Sequence, residues 1–338
     1  MMPAQQQRPT LEEVAASAGV SRATVSRVVN NSPTVAPHLR ERVEQAIREL
    51  GYRPNLAARS LVTRRTGAVG VVVAESAEFV FADPFFGPIV RAASRELART
   101  GRQMVLLLAQ DEQDHERIAQ YLEGGHVDGA LLFSLHRNDP LPEVAARLGL
   151  PVVLQGRPWD AGPLRHWVDN DNRGGGRTAT RYLLEQGRSR IATITGPLDM
   201  PAAVDRLSGY REALGNQFDD RLVVAGDFRQ ESGEAGMREL LERAPDIDGV
   251  FAASDLMAVG ALRALRRSGR KVPEDVAVVG FDDHAALDEW TDPPLTSVHQ
   301  DIDGAVVQMV SLLGLMLDGE EAPQHVVLPT RLVVRASA

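Results

Sequence analysis

The chain of 338 residues contains no cysteine. That removes disulfides, thiolate zinc sites, iron–sulfur clusters and cysteine nucleophiles at once. Lysine is nearly missing too: of 37 basic residues only Lys271 is a lysine, a bias that reflects coding composition as much as function. Aromatic residues make up 5%. No stretch approaches the roughly 18 consecutive apolar residues of a membrane span. The start, MMPAQQQRPTLEEVA, has no apolar run behind a basic region and so does not read as a secretory signal. A cytoplasmic protein with no membrane partner is expected. The eight histidines include no i,i+4 pair and no HExxH, so neither a metal nor another cofactor is expected.

What is present is an ordinary globular composition, 43% hydrophobic and 25% charged, long enough for two or three domains with their own cores. Its charge is unevenly placed. Residues 1–66 hold ten Arg against five Glu, a balance of +5, and the remaining 27 basic and 41 acidic residues give −14; together these make the net −9. A basic head on an acidic body is what a small module that meets a polyanion requires.

The head carries its own start and stop signals. Thr10-Leu11-Glu12-Glu13 is a capping box, and the helix it opens places Val14, Ala15 and Ala18 inward before Gly19 ends it. Ser21 caps a second helix, Arg22 to about Val29, with Val25 and Val28 inward. Asn30-Asn31-Ser32-Pro33 is a loop. Pro37 fits the first turn of a third helix running to Leu50, with Val43, Ala46, Ile47 and Leu50 as its apolar stripe and Gly51 as its stop. Three short helices, two joined by a tight glycine turn, describe a helix-turn-helix unit over 1–51. Residues 52–66 form a linker whose segment Leu56–Leu61 is too short to be a stable helix alone and needs a partner.

From Gly67 the texture becomes aliphatic strands alternating with helices. Strands are expected at Val69–Val73, Met104–Ala109, Gly129–Phe133, Val152–Leu154, Ile191–Thr195, Leu222–Ala225, Gly249–Ala252 and Val276–Gly280. Helices are expected at Gly87–Thr100, Asp114–Gly124, Gly174–Gln186, Arg206–Leu214, Glu231–Arg243 and Asp255–Ser268. This βαβ alternation implies parallel sheets covered on both faces, and 67–338 exceeds one comfortable open sheet, so two lobes are expected.

The stretch TLEEVAASAGVSRATVSRVVNNSPTVAPHLRERVEQAIRELGYRPNLAARSL (10–61) closely resembles the DNA-binding head of the LacI/GalR family of transcription regulators. The likeness continues in order through DPFF (83–86), VDGALL (127–132), DNRGG (171–175), RLSGY (206–210), GDF (226–228), ASDLMAVGAL (253–262), VPEDVAVVGFDD (272–283) and PPLTSVHQD (293–301). Within the family, SLHRNDPLP (134–142), GPLDM (196–200) and FAASDLM (251–257) are most similar to cellobiose-responsive repressors. The resemblance implies an α/β fold: a small all-α helix-turn-helix head and a two-lobed, periplasmic-binding-protein-like body with parallel sheets. It implies chain crossovers between the lobes near 168, 298 and 329, and a homodimer. As the chain ends at Arg331–Ala338 without a heptad extension, a dimer rather than a coiled-coil tetramer is expected.

A helix fits the major groove, where base edges carry a distinct donor and acceptor pattern. The resemblance places the reading positions at Arg22 and Ala23, with Arg27 one turn on. Arginine can clamp guanine O6 and N7, so a pseudo-palindromic, G·C-rich operator is expected. Thr10, Ser21, Thr24 and Asn30 fit phosphate contacts, which position without specifying; Thr10 and Ser21 also serve as caps. Leu56–Leu61 resembles the hinge helix, in which the residue matching Leu61 wedges between base pairs in the minor groove beside the one matching Ala58.

For a small sugar effector, the resemblance points to Asp83, Phe85, Phe86, Arg206, Phe228, Ser254 and Asp282. Aromatic faces suit C–H surfaces and bidentate polar groups suit vicinal hydroxyls. Asp83 and Ser254 stand where the family commonly has Asn. Trp159, Trp167 and Trp290 read as loop aromatics that could stack on the sugar. A ligand that tightens DNA binding instead of releasing it, and a solute-binding protein without a DNA role, are the alternatives. Enzyme readings lack support: Gly174-Gly175-Gly176 follows no clean strand and lacks dinucleotide spacing, and Asp282-Asp283 point apart at a strand end.

Overall fold

A computed structural model describes residues 9–29, 33–52, 65–160, 164–287 and 291–338, apart from the side chain of Ala286. The chain divides into two compact units, 1–66 and 67–338. Asn30, Ala58, Leu61 and Trp290 lie outside the described residues.

In the first unit α1 (Leu11–Ala18), α2 (Arg22–Val29) and α3 (Pro37–Leu50) form the helix-turn-helix. The Thr10 amide donates to Glu13 Oε2 at 2.7 Å and the Glu13 amide to Thr10 Oγ1 at 3.3 Å, closing the capping box. Gly19 ends α1 in the left-handed conformation, φ 60°, and Arg42 on α3 donates to the Ala18 carbonyl at 2.6 Å. These contacts fix the turn that aims α2. Val14, Val25 and Val43 form a closed core with Tyr52. Leu50, expected inward, is 38% exposed: at the last turn of α3 the apolar stripe has run past the two short helices it covers.

The second unit is built from two six-stranded sheets. Its first sheet runs from β1 (Ala68–Val73), β2 (Gln103–Leu108), β3 (Gly129–Phe133), β4 (Val152–Gln155) and β5 (Trp167–Asn170). The second takes β6 (Ile191–Thr195), β7 (Val223–Ala225), β8 (Gly249–Ala252), β9 (Ala277–Asp282) and β10 (Thr296–His299). The last two strands then split, β11 (His325–Leu328) joining the first sheet and β12 (Arg331–Val333) the second. Every pairing is parallel except β10 with β12. The chain therefore passes between lobes three times, after β5, after β10 and between β11 and β12. Three short connections between the same two lobes can flex together, the mechanical requirement of a hinged cleft.

Helices α4 (Ala77–Ala82), α5 (Phe86–Arg99), α6 (Glu112–Glu123) and α7 (Leu141–Leu148) serve the first lobe. The second lobe uses α8 (Asn172–Glu185), α9 (Pro201–Leu214), α10 (Gln230–Arg243) and α11 (Asp255–Arg267), and α12 (Ile302–Asp318) returns to the first.

Two corrections bear on the site. The triple glycine does follow a strand, β5, which its polar residues Asp169 and Asn170 disguised as a loop; Gly174 makes room for the Asp171 cap, Gly175 for the Phe281 ring, and Gly176 serves helix packing. A Cβ on Gly176 would stand 2.3 Å from the Arg206 carbonyl and one on Gly209 2.1 Å from that of Arg173, so α8 and α9 lie backbone to backbone. The second correction is that α9 begins at Pro201, five residues before the expected start. Proline's fixed φ and missing N–H suit a first helical position, and Arg206 therefore sits mid-helix.

Candidate functional site

All seven side chains expected at the effector site, Asp83, Phe85, Phe86, Arg206, Phe228, Ser254 and Asp282, line one cavity of about 70 Å³ between the two lobes of the second unit. Arg206 is its centre. Only 5% exposed, its Nε donates to Asn172 Oδ1 at 2.8 Å and one terminal nitrogen to the Ala253 carbonyl at 2.5 Å. Its guanidinium lies 3.7 Å from the Phe281 ring centroid and 5.6 Å from that of Phe228, and 3.7 Å from Asp282 Oδ1. Burial pulls the Arg206 pKa down; Asp282, Asp169 and Asp255 oppose it.

Asp282 ends β9 with φ 118°, a region in which a non-glycine residue is strained. Its Oδ1 accepts from Gln300 Nε2 at 2.6 Å. Burial, reinforced by Asp282, holds Asp255 well above the usual carboxylate range; it accepts from Ser297 Oγ at 2.5 Å and the His284 amide at 2.9 Å. Asp283, just past the end of β9 at φ 57°, points away from Asp282, to His299 and Arg335; the two carboxylates part as expected, but at a backbone bend and not by strand alternation.

The other positions differ in character. Asp83 accepts from the Phe85 amide at 2.9 Å, and burial pushes its pKa up to about 7, so it can donate as well as accept near neutrality. Ser254 lines the cavity with its hydroxyl already engaged: it accepts from the Met257 amide as the α11 cap and donates to the Phe228 carbonyl, both at 3.2 Å. Phe86 belongs chiefly to the first lobe's core and stacks edge-on with Phe85 at 5.3 Å.

Several wall residues were not read from the sequence. Asn172 links Arg206 to Asp169 at the first crossover, its Nδ2 donating to Asp169 Oδ1 at 2.8 Å. Burial raises the Asp169 pKa to about 6. DNRGG and HQD did place Asn172 and Gln300 in matching segments, but neither residue type advertises a ligand role.

A second cavity of about 490 Å³ adjoins the first, sharing Ser134, Gln155, Met200 and Ala202 with it. Contacts between the lobes border it. The Asp199 carbonyl accepts from the Arg137 amide at 2.8 Å and from Trp159 Nε1 at 3.0 Å. His136 Nδ1 lies 2.8 Å from Asp199 Oδ2, and hydrogen bonds to Glu75 and then Asp199 raise the His136 pKa to about 9 against its burial. Arg157 makes a bidentate pair with Asp205 at 2.7 and 2.8 Å. Trp159 is thus a cavity wall, with the Arg137 guanidinium 4.0 Å from its ring centroid. Trp167 is not in a loop: it lies in β5, stacked on His325 at 4.7 Å, its alternation hidden by the same polar neighbours.

In the head, Arg22, Ala23 and Arg27 are all exposed on α2. Arg22 Nε is paired with Glu12 Oε1 at 2.9 Å. Thr10 and Ser21 are engaged as caps, the Thr24 amide donating to Ser21 Oγ at 3.2 Å and the two hydroxyls lying 2.9 Å apart. Among the described residues no His, Asp or Glu group could hold a metal ion, and no helix is long and apolar enough to cross a membrane.

A helix-turn-helix unit together with a hinged two-lobed body, its cleft centred on one buried arginine, defines a ligand-controlled DNA-binding regulator. Family signatures agree: residues 10–55 match "Bacterial regulatory proteins, lacI family" and 180–338 match "Periplasmic binding protein-like domain". The chain is 54% identical over 335 residues to the HTH-type transcriptional regulator CelR of Thermobifida fusca, covering 98% of each. Among solved structures it resembles the transcriptional regulator CelR–cellobiose complex, at 51% identity and TM-score 0.78 over 98% of this chain and 100% of that one. It also resembles the Lac repressor dimer bound to operator and the anti-inducer ONPF, at 29% identity and TM-score 0.84 over 98% and 99%. The chain belongs to the LacI family of bacterial regulatory proteins and is a DNA-binding transcriptional regulator.

Proposed function

We propose that this regulator is a cytoplasmic homodimeric repressor, not an enzyme, that holds a pseudo-palindromic, G·C-rich operator and releases it when a disaccharide such as cellobiose fills the cleft. Arg22, Ala23 and Arg27 read the major groove; Thr10, Ser21, Thr24 and Asn30 position the phosphates; Ala58 and Leu61 act in the minor groove. Residues 52–66 are the hinge between reader and body. The observation that carries the sugar reading is the convergence of Arg206, Asp282 and Gln300 beside Phe228. A planar donor fork, a carboxylate and an aromatic face together match vicinal hydroxyls on a ring with apolar C–H faces. One structural relative is bound to cellobiose and another to operator, which supports the pairing of sugar with DNA.

Calorimetry against cellobiose, other β-linked disaccharides, maltose and nucleobases tests the ligand class. Cellobiose is expected to bind at least about 100-fold more tightly than maltose or any nucleobase, about 2.7 kcal/mol. Tighter binding of a nucleobase would replace the sugar reading with a purine-type one.

A further inference from the structure

We propose that Asp255, which lines neither cavity, is a positioning residue for the effector site: it holds the bend that carries Asp282 and ties that bend to the crossover strand β10. The inference rests on the reading of Asp282 as a sugar contact and concerns what keeps that contact in place.

The bend needs a holder. Asp282 and Asp283 are consecutive non-glycine residues with positive φ, 118° and 57°, and strained backbone persists only where its surroundings over-determine it. Asp255, at the start of α11, does this. Its amide donates to Asp282 Oδ2 at 3.4 Å and its Oδ2 accepts from the His284 amide at 2.9 Å, so the bend is gripped at its first and third residues. The second is reached through one intermediary: Ser297 Oγ donates to Asp255 Oδ1 at 2.5 Å and accepts from the Asp283 amide at 3.1 Å. The strand leaves room for this, because a Cβ on Gly280 of β9 would overlap the Asp255 carboxylate.

The same bonds reach the hinge. Ser297 lies in β10, the strand that leads into the second crossing between the lobes, and Gln300 just beyond it donates to Asp282 Oδ1 at 2.6 Å. Burying a carboxyl group is costly unless it is hydrogen-bonded, and Asp255 is only 2% exposed. Both of its oxygens are engaged by the bend and by β10. A sugar hydroxyl that pulls on Asp282 therefore pulls on a unit fastened to a crossover strand.

The test is a double-mutant cycle on the full-length protein, read by calorimetry with cellobiose taken to high-millimolar concentration so that weak members are still measured. It comprises wild type, Asp255→Ala, Ser297→Ala and Asp282→Asn, and each of the first two combined with the third. Residues that act through one shared contact give losses that do not add, whereas general loosening of the lobe costs the same in both backgrounds. Asp255→Ala should lower cellobiose affinity about tenfold and Ser297→Ala at least about threefold, and in the Asp282→Asn background each should cost less than about twofold. Ser297→Ala removes only a hydroxyl and carries the test should Asp255→Ala fail to fold. Equal losses in both backgrounds, or no loss in either variant, overturn the positioning role and leave the sugar reading intact. Unchanged binding by Asp282→Asn, or no binding of cellobiose by wild type, overturns both.

Discussion

Arg206→Ala is expected to abolish the response to sugar while leaving sugar-free operator affinity within about threefold of wild type. Arg206 gathers the site: it is held by Asn172 and the Ala253 carbonyl, flanked by Phe281 and close to Asp282. Truncation removes the donor fork for the ligand and leaves Asp282 and Asp255 buried beside each other without their cation. Hydrogen bonds to charged groups contribute about 1.5–3 kcal/mol each, so loss of two lowers sugar affinity by at least about 100-fold. Unpairing a buried ion pair costs about 3–5 kcal/mol, and in a body of this size that lowers Tm by roughly 10 °C. The reader is a separate compact unit, so operator binding below that Tm survives. Fluorescence anisotropy with labelled operator, alongside calorimetry and a melt, separates the effects. Arg206→Lys keeps charge but not the planar fork and should recover more stability than sugar affinity. A sugar response persisting in Arg206→Ala would remove Arg206 from the site.

The second large effect is at the operator. Arg22→Ala and Arg27→Ala should each cost about 1–3 kcal/mol at one G·C position per half-site, a 5- to 150-fold loss that disappears on an operator already changed there. The pair between Arg22 and Glu12 does not stand in the way. Its side chains are 69% and 62% exposed, and such pairs contribute only about 0–1 kcal/mol, so guanine can displace Glu12. Binding should be measured across operator variants and salt concentrations. A uniform loss on all sequences, with a salt slope reduced by about one, would instead make that arginine a phosphate contact.

The two units differ in how legible they were. In the head every helix announces itself with local chemistry: the Thr10–Glu13 box, Ser21, Pro37 and two left-handed glycines. In the body the aliphatic strands were equally plain, but the strands at the crossovers were not; only the family resemblance pointed to those positions. Trp167–Asn170 is four residues long with polar groups at its carboxyl end, and α12 is apolar around most of its surface, so neither shows clean periodicity. The seven cleft residues were reachable because each sits in a segment matching the family. The lobe contacts were not: His136 meets Asp199 across 63 residues and Arg157 meets Asp205 across 48. Only folding makes those pairs neighbours.

The lopsided charge also gains a physical place. The acidic excess lies in the cleft-bearing body and the basic excess in the reader, the distribution that lets a protein of net −9 bind a polyanion through its reader.

The central claim is that filling the cleft weakens the grip on DNA. A ligand shifts such an equilibrium only by binding one state more tightly than the other. The decisive measurement is operator affinity of the full-length protein at fixed salt, with and without saturating cellobiose. A fall of at least tenfold, absent in Arg206→Ala, is the expected result; unchanged or tightened operator binding at saturation would contradict the account.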